Sequence, residues 1–520
     1  MDEKEKRKMP AIVLVGIGGG GSRILSEGLE KIVRYPHVDR YACLIRAVNA
    51  SPDKAYQSPS KALDSSSEPH VFILDTSSDP TTEGFYQNIP VKHKISLSSS
   101  VQGMSRGAGG RPGRAAKAVL NKEVSETLAR ELYKPISDIG PAIVVFIHTL
   151  DGGTGGGLTP EILQQLAYVL PASTVFWVFS VMPTQTPISL QGPRAVALNV
   201  GRMLNTIRRV SDRDYDQIPF ECREAIRSLV ETKQEDQSYE FRHSRVAMFP
   251  MSNQHFSQCL EGQKSVEIRE EILNPFPVEM ISQALYPFLK YVESTPDEQQ
   301  WMQKQWPMGP IDIPDIMAGV SPDRPMVLPH LWIDPEPGDK AVVDAAIEDL
   351  KNGVIRMTRI EGTTKDGLPD LFSFNGAPCA LYEFRASSVY CIPVYPECSK
   401  YFDTFGETIS DVWFPRLSGK MHFIGGRTGV KVGVINHSAN LKPQPIPRPP
   451  NTVLGFEHGM LVTLINGGVP SDLLAWLNAT KDIMREHRTE DMWELTFYDA
   501  NDALNEVARY MGIDDWLNKE

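Results

Sequence analysis

The chain is predicted to be an α/β protein built on a doubly wound parallel sheet, and a few features carry that prediction. Short apolar runs at 11–15, 71–74, 142–147, 174–181 and 246–249 read as buried strands. Between them lie longer segments of helical pattern, and alternation of the two is the signature of a parallel sheet covered by helices. Glycine-rich turns stand at strand-to-helix junctions, at the carboxyl ends of the strands where such sheets bind their ligands.

Taken in order, residues 11–15 deliver the chain into Gly16-Ile17-Gly18-Gly19-Gly20-Gly21-Ser22-Arg23, after which Ile24, Leu25, Leu29 and Ile32 form one helical face. Glycines let the backbone approach a ligand closely, and the free N–H groups and positive end of the following helix attract phosphate. Gly16, Gly18 and Gly21 satisfy the G-x-G-x-x-G dinucleotide fingerprint. A dinucleotide site also wants an acidic residue at the end of the second strand, and the run 42–48 ends instead in Asn49-Ala50-Ser51-Pro52-Asp53. Residues 71–74 read as the third strand, ending in Asp75-Thr76. A further glycine cluster, Gly103-Met104-Ser105-Arg106-Gly107-Ala108-Gly109-Gly110-Arg111-Pro112-Gly113-Arg114, precedes a helix over 115–132 rich in Ala, Leu, Lys and Glu.

The densest cluster, Asp151-Gly152-Gly153-Thr154-Gly155-Gly156-Gly157, lies between the strand 142–147 and a helix over 160–170, where Ile162, Leu166 and Leu170 repeat at helical spacing. A flexible linker would not be wedged between a buried strand and an amphipathic helix, so this is read as an anion-binding turn with the Thr154 hydroxyl at its centre. Three such loops exceed what one dinucleotide pyrophosphate uses and suit a phosphate tail wrapped from several sides. The strand 174–181 leads to a helix over 192–209, residues 211–244 read as a polar insertion, and 246–249 resumes as a strand that stops at Pro250-Met251-Ser252-Asn253.

A length of 520 residues allows two or three domains, and the net charge of -12 argues against wrapping nucleic acid directly. Six cysteines without paired short spacing indicate reduced thiols and no metal cluster. The mixed-charge start Met1-Asp2-Glu3-Lys4-Glu5-Lys6-Arg7-Lys8 lacks the apolar core of a signal peptide, and no run reaches the roughly 20 apolar residues of a membrane helix. A cytoplasmic location without direct membrane insertion is expected.

In order and spacing the glycine loops resemble those of the tubulin/FtsZ superfamily of filament-forming GTPases. Its G-G-G-T-G-[ST]-G signature is similar to Asp151 to Gly157, with Asp151 in place of the first glycine and Gly156 in place of the small hydroxyl residue. The cradle Gly18, Gly19, Gly20, Gly21, Ser22 is similar to the first nucleotide loop, Asn49 to the second, Gly107, Ala108, Gly109 and Gly110 to the third, and Asn253 to the sixth. Arg23 and Arg111 stand where the family has Asn, adding positive charge beside the phosphates. Gly309-Pro310-Ile311-Asp312-Ile313-Pro314-Asp315-Ile316 is similar to the acidic loop that enters the next subunit's nucleotide site, with Asp312 and Asp315 at the required spacing.

The resemblance implies a nucleotide-binding GTPase domain over 1–260 and a long central helix in 261–308, with an apolar face from Ile281, Ala284, Leu285 and Leu289. It also implies a second α/β domain of the activation type over 309–468, where 380–384, 389–394, 431–435 and 460–465 are strand-like, and a helical extension over 469–520. Gly152, Gly153, Thr154, Gly155 and Gly156 would hold phosphates of GTP or GDP with Mg²⁺, Glu279 would accept the guanine donors, and Phe276 would stack on the base. Asp312 and Asp315 would complete hydrolysis in a head-to-tail homopolymer, and helices at 471–488 and 500–517 would meet neighbours or an adaptor. The rival readings are a tubulin-like scaffold that binds nucleotide without hydrolysing it, and a nicotinamide or flavin oxidoreductase resting on the first loop alone.

Overall fold

The computed structural model describes residues 12–34, 71–75, 93–98, 108, 111–141, 143–183, 192–230, 244–253, 317, 320–333, 354–356, 378–380, 388–393, 431–432, 460–466, 473–486 and 500–511. The strand expected at 42–48 and the central helix expected in 261–308 lie outside these residues, as do Asn49, Gly107, Gly109, Gly110, Phe276, Glu279, Asp312 and Asp315.

Strands β1 (Ile12–Ile17), β2 (Val71–Asp75), β3 (Lys94–Ser96), β4 (Ile143–Thr149), β5 (Val175–Met182) and β6 (Val246–Ser252) form a six-stranded sheet. Their order is β3-β2-β1-β4-β5-β6, with every neighbouring pair parallel. This is a Rossmann-like α/β domain, and the chain order reverses between β1 and β4, where ligands of doubly wound sheets bind. Apart from β3 and the tip of β4 the strands are buried throughout, as their unbroken apolar runs require when both faces are covered.

Helix α1 (Gly18–Arg34) follows β1 directly and packs on β1, β2 and β4, with Ile24 and Leu25 buried. The opposite face of the sheet, presenting Val13, Val15, Val144, Phe146, Phe176 and Val178, shares one core with the remaining helices. These begin with α2 (Pro112–Val119), α3 (Lys122–Leu128) and α4 (Lys134–Ile139). The single helix expected over 115–132 is thus broken. Asn121 restarts it, its Oδ1 accepting from the Glu123 N–H at 2.9 Å. A π-helical turn, Ala129–Tyr133, then leads into α4, which Gly140 ends at φ +66°.

The next helix, α5 (Gly153–Val169), starts well before the Pro160 expected at its head. Five residues, Gly153 to Gly157, coil inside it although glycine disfavours helix by about 1 kcal/mol per residue. Close packing overrides propensity here: a Cβ on Gly155 would lie 3.0 Å from the Thr149 carbonyl oxygen, and one on Gly157 would overlap the Pro112 backbone.

α6 (Gly192–Asp212) packs along α5. The polar stretch expected as an insertion at 211–244 contains α7 (Phe220–Leu229), which lies on α3, the Cys222 thiol donating to the Leu120 carbonyl at 3.2 Å. The terminal helices α8 (Leu473–Glu486) and α9 (Ala500–Met511) also pack on α6. Leu473, Trp476, Leu477, Leu504, Val507 and Met511 are buried in the first domain's core, so these helices are part of that domain rather than a free extension. Their attachment is close and charged: a Cβ on Gly201 would overlap the Ala503 backbone, and Glu506 pairs with Arg208 and, at 2.7 Å, with Arg509.

The second sheet contains β7 (Val327–Ile333), β10 (Ser388–Pro393), β11 (Lys431–Val432) and β12 (Met460–Asn466) in the order β11-β10-β12-β7. β8 (Val354–Arg356) and β9 (Pro378–Ala380) form a separate antiparallel pair. The residues leading into β7 meet the edge strand β6 of the first sheet through a single bridge between Met248 and Met326, the Met248 N–H donating to the Pro325 carbonyl at 2.9 Å. Among the described residues no helix is long and apolar enough to cross a membrane.

Candidate functional site

Two glycine-rich helix starts meet at the switch point between β1 and β4. β1 passes straight into α1 through Gly18, whose φ of +74° a side chain would resist. A Cβ there would lie 2.8 Å from the Gly155 nitrogen and 3.3 Å from the Thr154 Cβ. β4 leaves the sheet through Leu150, Asp151 and Gly152, and α5 begins one residue later. Thr149 sits between the two, its Oγ1 2.9 Å from a Cβ placed on Gly152 and 3.1 Å from one on Gly20. Both helices therefore direct first-turn N–H groups and positive dipole ends to one spot.

The elements around this spot differ from their sequence-based assignments in several ways. The strand beside β1 is β2, so the residue at the end of β1's neighbour is the acidic Asp75 rather than Asn49. Its Oδ2 would lie 3.7 Å from a Cβ on the exposed Gly19, and the residue is 92 % buried, at 8 % exposure. Chain order ranked 71–74 third, whereas hydrogen bonding makes it β1's neighbour. Ser22 is turned inward: its hydroxyl donates to the Gly16 carbonyl at 3.2 Å. Gly21 is pressed against the Ile147 carbonyl, where any side chain would overlap, so it serves the packing of α1 on β4.

In the second cradle Gly152 is half-buried and caps α5, and Gly153, Thr154 and Gly155 form the first turn. The Gly156 N–H closes that turn on the Gly152 carbonyl at 3.0 Å and is not available to a ligand. The third loop reaches the same helix from the side. Ala108 is buried, its carbonyl accepting from the Arg111 N–H at 3.1 Å, and Pro112 abuts Gly157. Arg111 is exposed at the head of α2, and Arg23 is half-buried one turn into α1. Asn253, half-buried at the end of β6, lies on the same edge of the sheet but two strands beyond β4. Among the described residues no group of three His, Cys, Asp or Glu side chains is placed to hold a metal ion. The chain matches no protein-family model and no curated protein.

His148 lies under this site, buried, with Nε2 2.7 Å from the Ser180 hydroxyl across the β4–β5 register. Nδ1 makes no well-formed hydrogen bond, although the Gly155 and Thr149 backbones lie beside the ring. Burial holds the imidazole down at about 4, against a weaker opposing pull from those backbone groups. The unfolded chain takes up this proton near 6.5 and the folded chain does not, so the contribution to stability is present above 6.5 and lost as pH falls towards 4. Stability should therefore be about 3 kcal/mol lower at pH 4 than at pH 7 on account of this one group. Urea unfolding of wild type and His148→Gln across that range is the check, and the variant's pH slope should be flatter by that amount.

Proposed function

We propose that the chain binds and hydrolyses GTP as a filament subunit of tubulin/FtsZ type. The observation that carries the reading is the close approach of Gly18 to Gly155: two helix starts meet at the switch point, which supports one shared phosphate cradle. One pyrophosphate on a dinucleotide uses one helix start, whereas a triphosphate of high charge gains from two. The domain plan follows the resemblance: a GTPase domain to about residue 260, a central helix, an activation-type domain holding the second sheet, and terminal helices.

In this reading N–H groups of Gly19, Gly20, Gly153 and Gly155 hold phosphate oxygens, and Arg23 and Arg111 add positive charge at the rim. Asp75, Thr149 and Thr154 offer hard oxygen donors beside the cradle, which fits Mg²⁺ or the water around it. Mg²⁺, when bound, supplies neutralising charge on the β and γ oxygens. Glu279 and Phe276 select and stack the guanine. Asp312 and Asp315 of the next subunit orient the attacking water, so hydrolysis depends on assembly and is mainly a matter of positioning.

Phosphate release from GTP measured against protein concentration, with light scattering in the same sample, tests this. Specific activity should rise with assembly, and Asp312→Ala or Asp315→Ala should assemble yet lose about 10²-fold or more of turnover. Flat, near-zero turnover that the variants do not change, with GTP bound, would instead identify a non-hydrolysing scaffold. Asp75 favours one second reading, a dinucleotide oxidoreductase, because an acid at the end of the strand beside β1 suits a ribose. That reading requires NAD(H) or a flavin to bind with GTP failing to compete.

A further inference from the structure

We infer that Asn199 is a positioning residue for the phosphate turn, filling from α6 the place that Gly156 leaves open on α5. This deepens the reading of the glycine cradle as a phosphate site and rests on it. Asn199 is buried, and its Nδ2 donates to the Leu150 carbonyl at 2.7 Å, gripping the chain where β4 turns towards α5. The same amide lies over Gly156: a Cβ there would overlap Nδ2 and come within 2.7 Å of Cγ and 3.2 Å of Oδ1. One side chain thus ties down both ends of the segment from Leu150 to Gly156, which holds the glycine turn between β4 and α5.

The amide orientation is fixed, because turning it over would set oxygen against the Leu150 carbonyl oxygen. Oδ1 is then buried with no hydrogen-bond partner among the described residues. An apolar side chain of the same shape would fill this space without that penalty, so packing alone does not call for asparagine. The polar identity answers to the Leu150 carbonyl and to the turn it holds. Gly156 is the counterpart of this arrangement, since the small hydroxyl side chain that the resemblance places at 156 cannot coexist with the Asn199 amide.

Asn199→Leu keeps the branching of the side chain and removes the donor, and the readout is equilibrium binding of fluorescent GTP and GMP analogues alongside the melting temperature. GTP-analogue binding should weaken about tenfold, the worth of one lost positioning hydrogen bond, with GMP-analogue binding and melting changed far less. The second arm is a cycle of Gly156→Ser, Asn199→Ala and the two together. Gly156→Ser should abolish tight binding in the parent background, and the double variant should bind at least tenfold tighter than Gly156→Ser alone. If Asn199→Leu melts early, the cycle decides. Parent-like binding by Asn199→Leu, or additive effects in the cycle, would overturn the inference. Failure of the parent protein to bind GTP analogue would instead overturn the nucleotide reading.

Discussion

Glu161→Ala should lower the unfolding free energy by about 3–5 kcal/mol, the usual result of stranding one charge of a buried pair. Glu161 on α5 and Arg202 on α6 are both buried, 3.1 Å apart, and the same Arg202 Nη2 lies 3.3 Å from the Gly157 carbonyl. A guanidinium cannot shed its proton to escape burial, so removing this carboxylate takes a close anionic partner from a cation held in the core. Two features set the expected size. The arginine is fully buried, so solvent cannot reach in to screen it, and its second acceptor belongs to the backbone of the glycine helix. Urea unfolding should show a lower midpoint at an unchanged slope. The exposed pair Lys134–Asp138, 3.1 Å apart one helical turn from each other, gives the comparison. Lys134→Ala should change stability by less than about 0.5 kcal/mol. A joint replacement of Glu161 and Arg202 by apolar residues of similar volume should recover most of the loss, because both charges of the pair then leave the core together.

Gly18→Val should cost about 2–4 kcal/mol and remove phosphate-dependent ligand binding. The position combines a left-handed backbone, φ +74°, with a neighbour 2.8 Å from where the side chain would begin. That neighbour is the Gly155 backbone nitrogen, which cannot swing aside as the end of a flexible side chain would. Gly140 separates the two effects. It has a similar φ of +66°, but a Cβ there would meet nothing within 4 Å. Gly140→Ala should therefore cost only about 1 kcal/mol, the price of the left-handed conformation alone. Thermal melting of both variants, with binding of a GTP analogue, measures the difference. Equal losses for the two would mean that the contact between the helix starts is not close.

The strands were legible because burial on both faces leaves an unbroken apolar run: β1, β4 and β5 begin and end within two residues of the sequence-based limits, while β6 begins as expected and runs three residues further, through Pro250 to Ser252. The glycine clusters were legible because few other patterns place so many small residues after a buried strand. What misled was local propensity. Glycine is a poor helix former, so local propensity starts α5 at Pro160, yet the helix begins at Gly153 because backbone and side chains close in on it from three sides. The amphipathic faces of α8 and α9 were also visible, but a face does not name its partner, and both are covered by α6 of the same chain.

Asp75, Asn199 and His148 carried no sequence signal as parts of the site. Asp75 is 54 or more residues along the chain from the first glycine turn, and it becomes a neighbour only because β2 pairs with β1 in register from Val71 opposite Leu14. Asn199 sits in the middle of an ordinary helix pattern, and its hold on Leu150 spans 49 positions. The sequence by itself determined the alternation of strand and helix, the buried character of the sheet and the glycine turns, since all three are set by residues close along the chain. Only the tertiary structure decided which turns share a cradle, which acid stands beside it and what fills the space behind Gly156. Those depend on strand order and helix packing, which bring distant residues within hydrogen-bonding reach without leaving a local pattern.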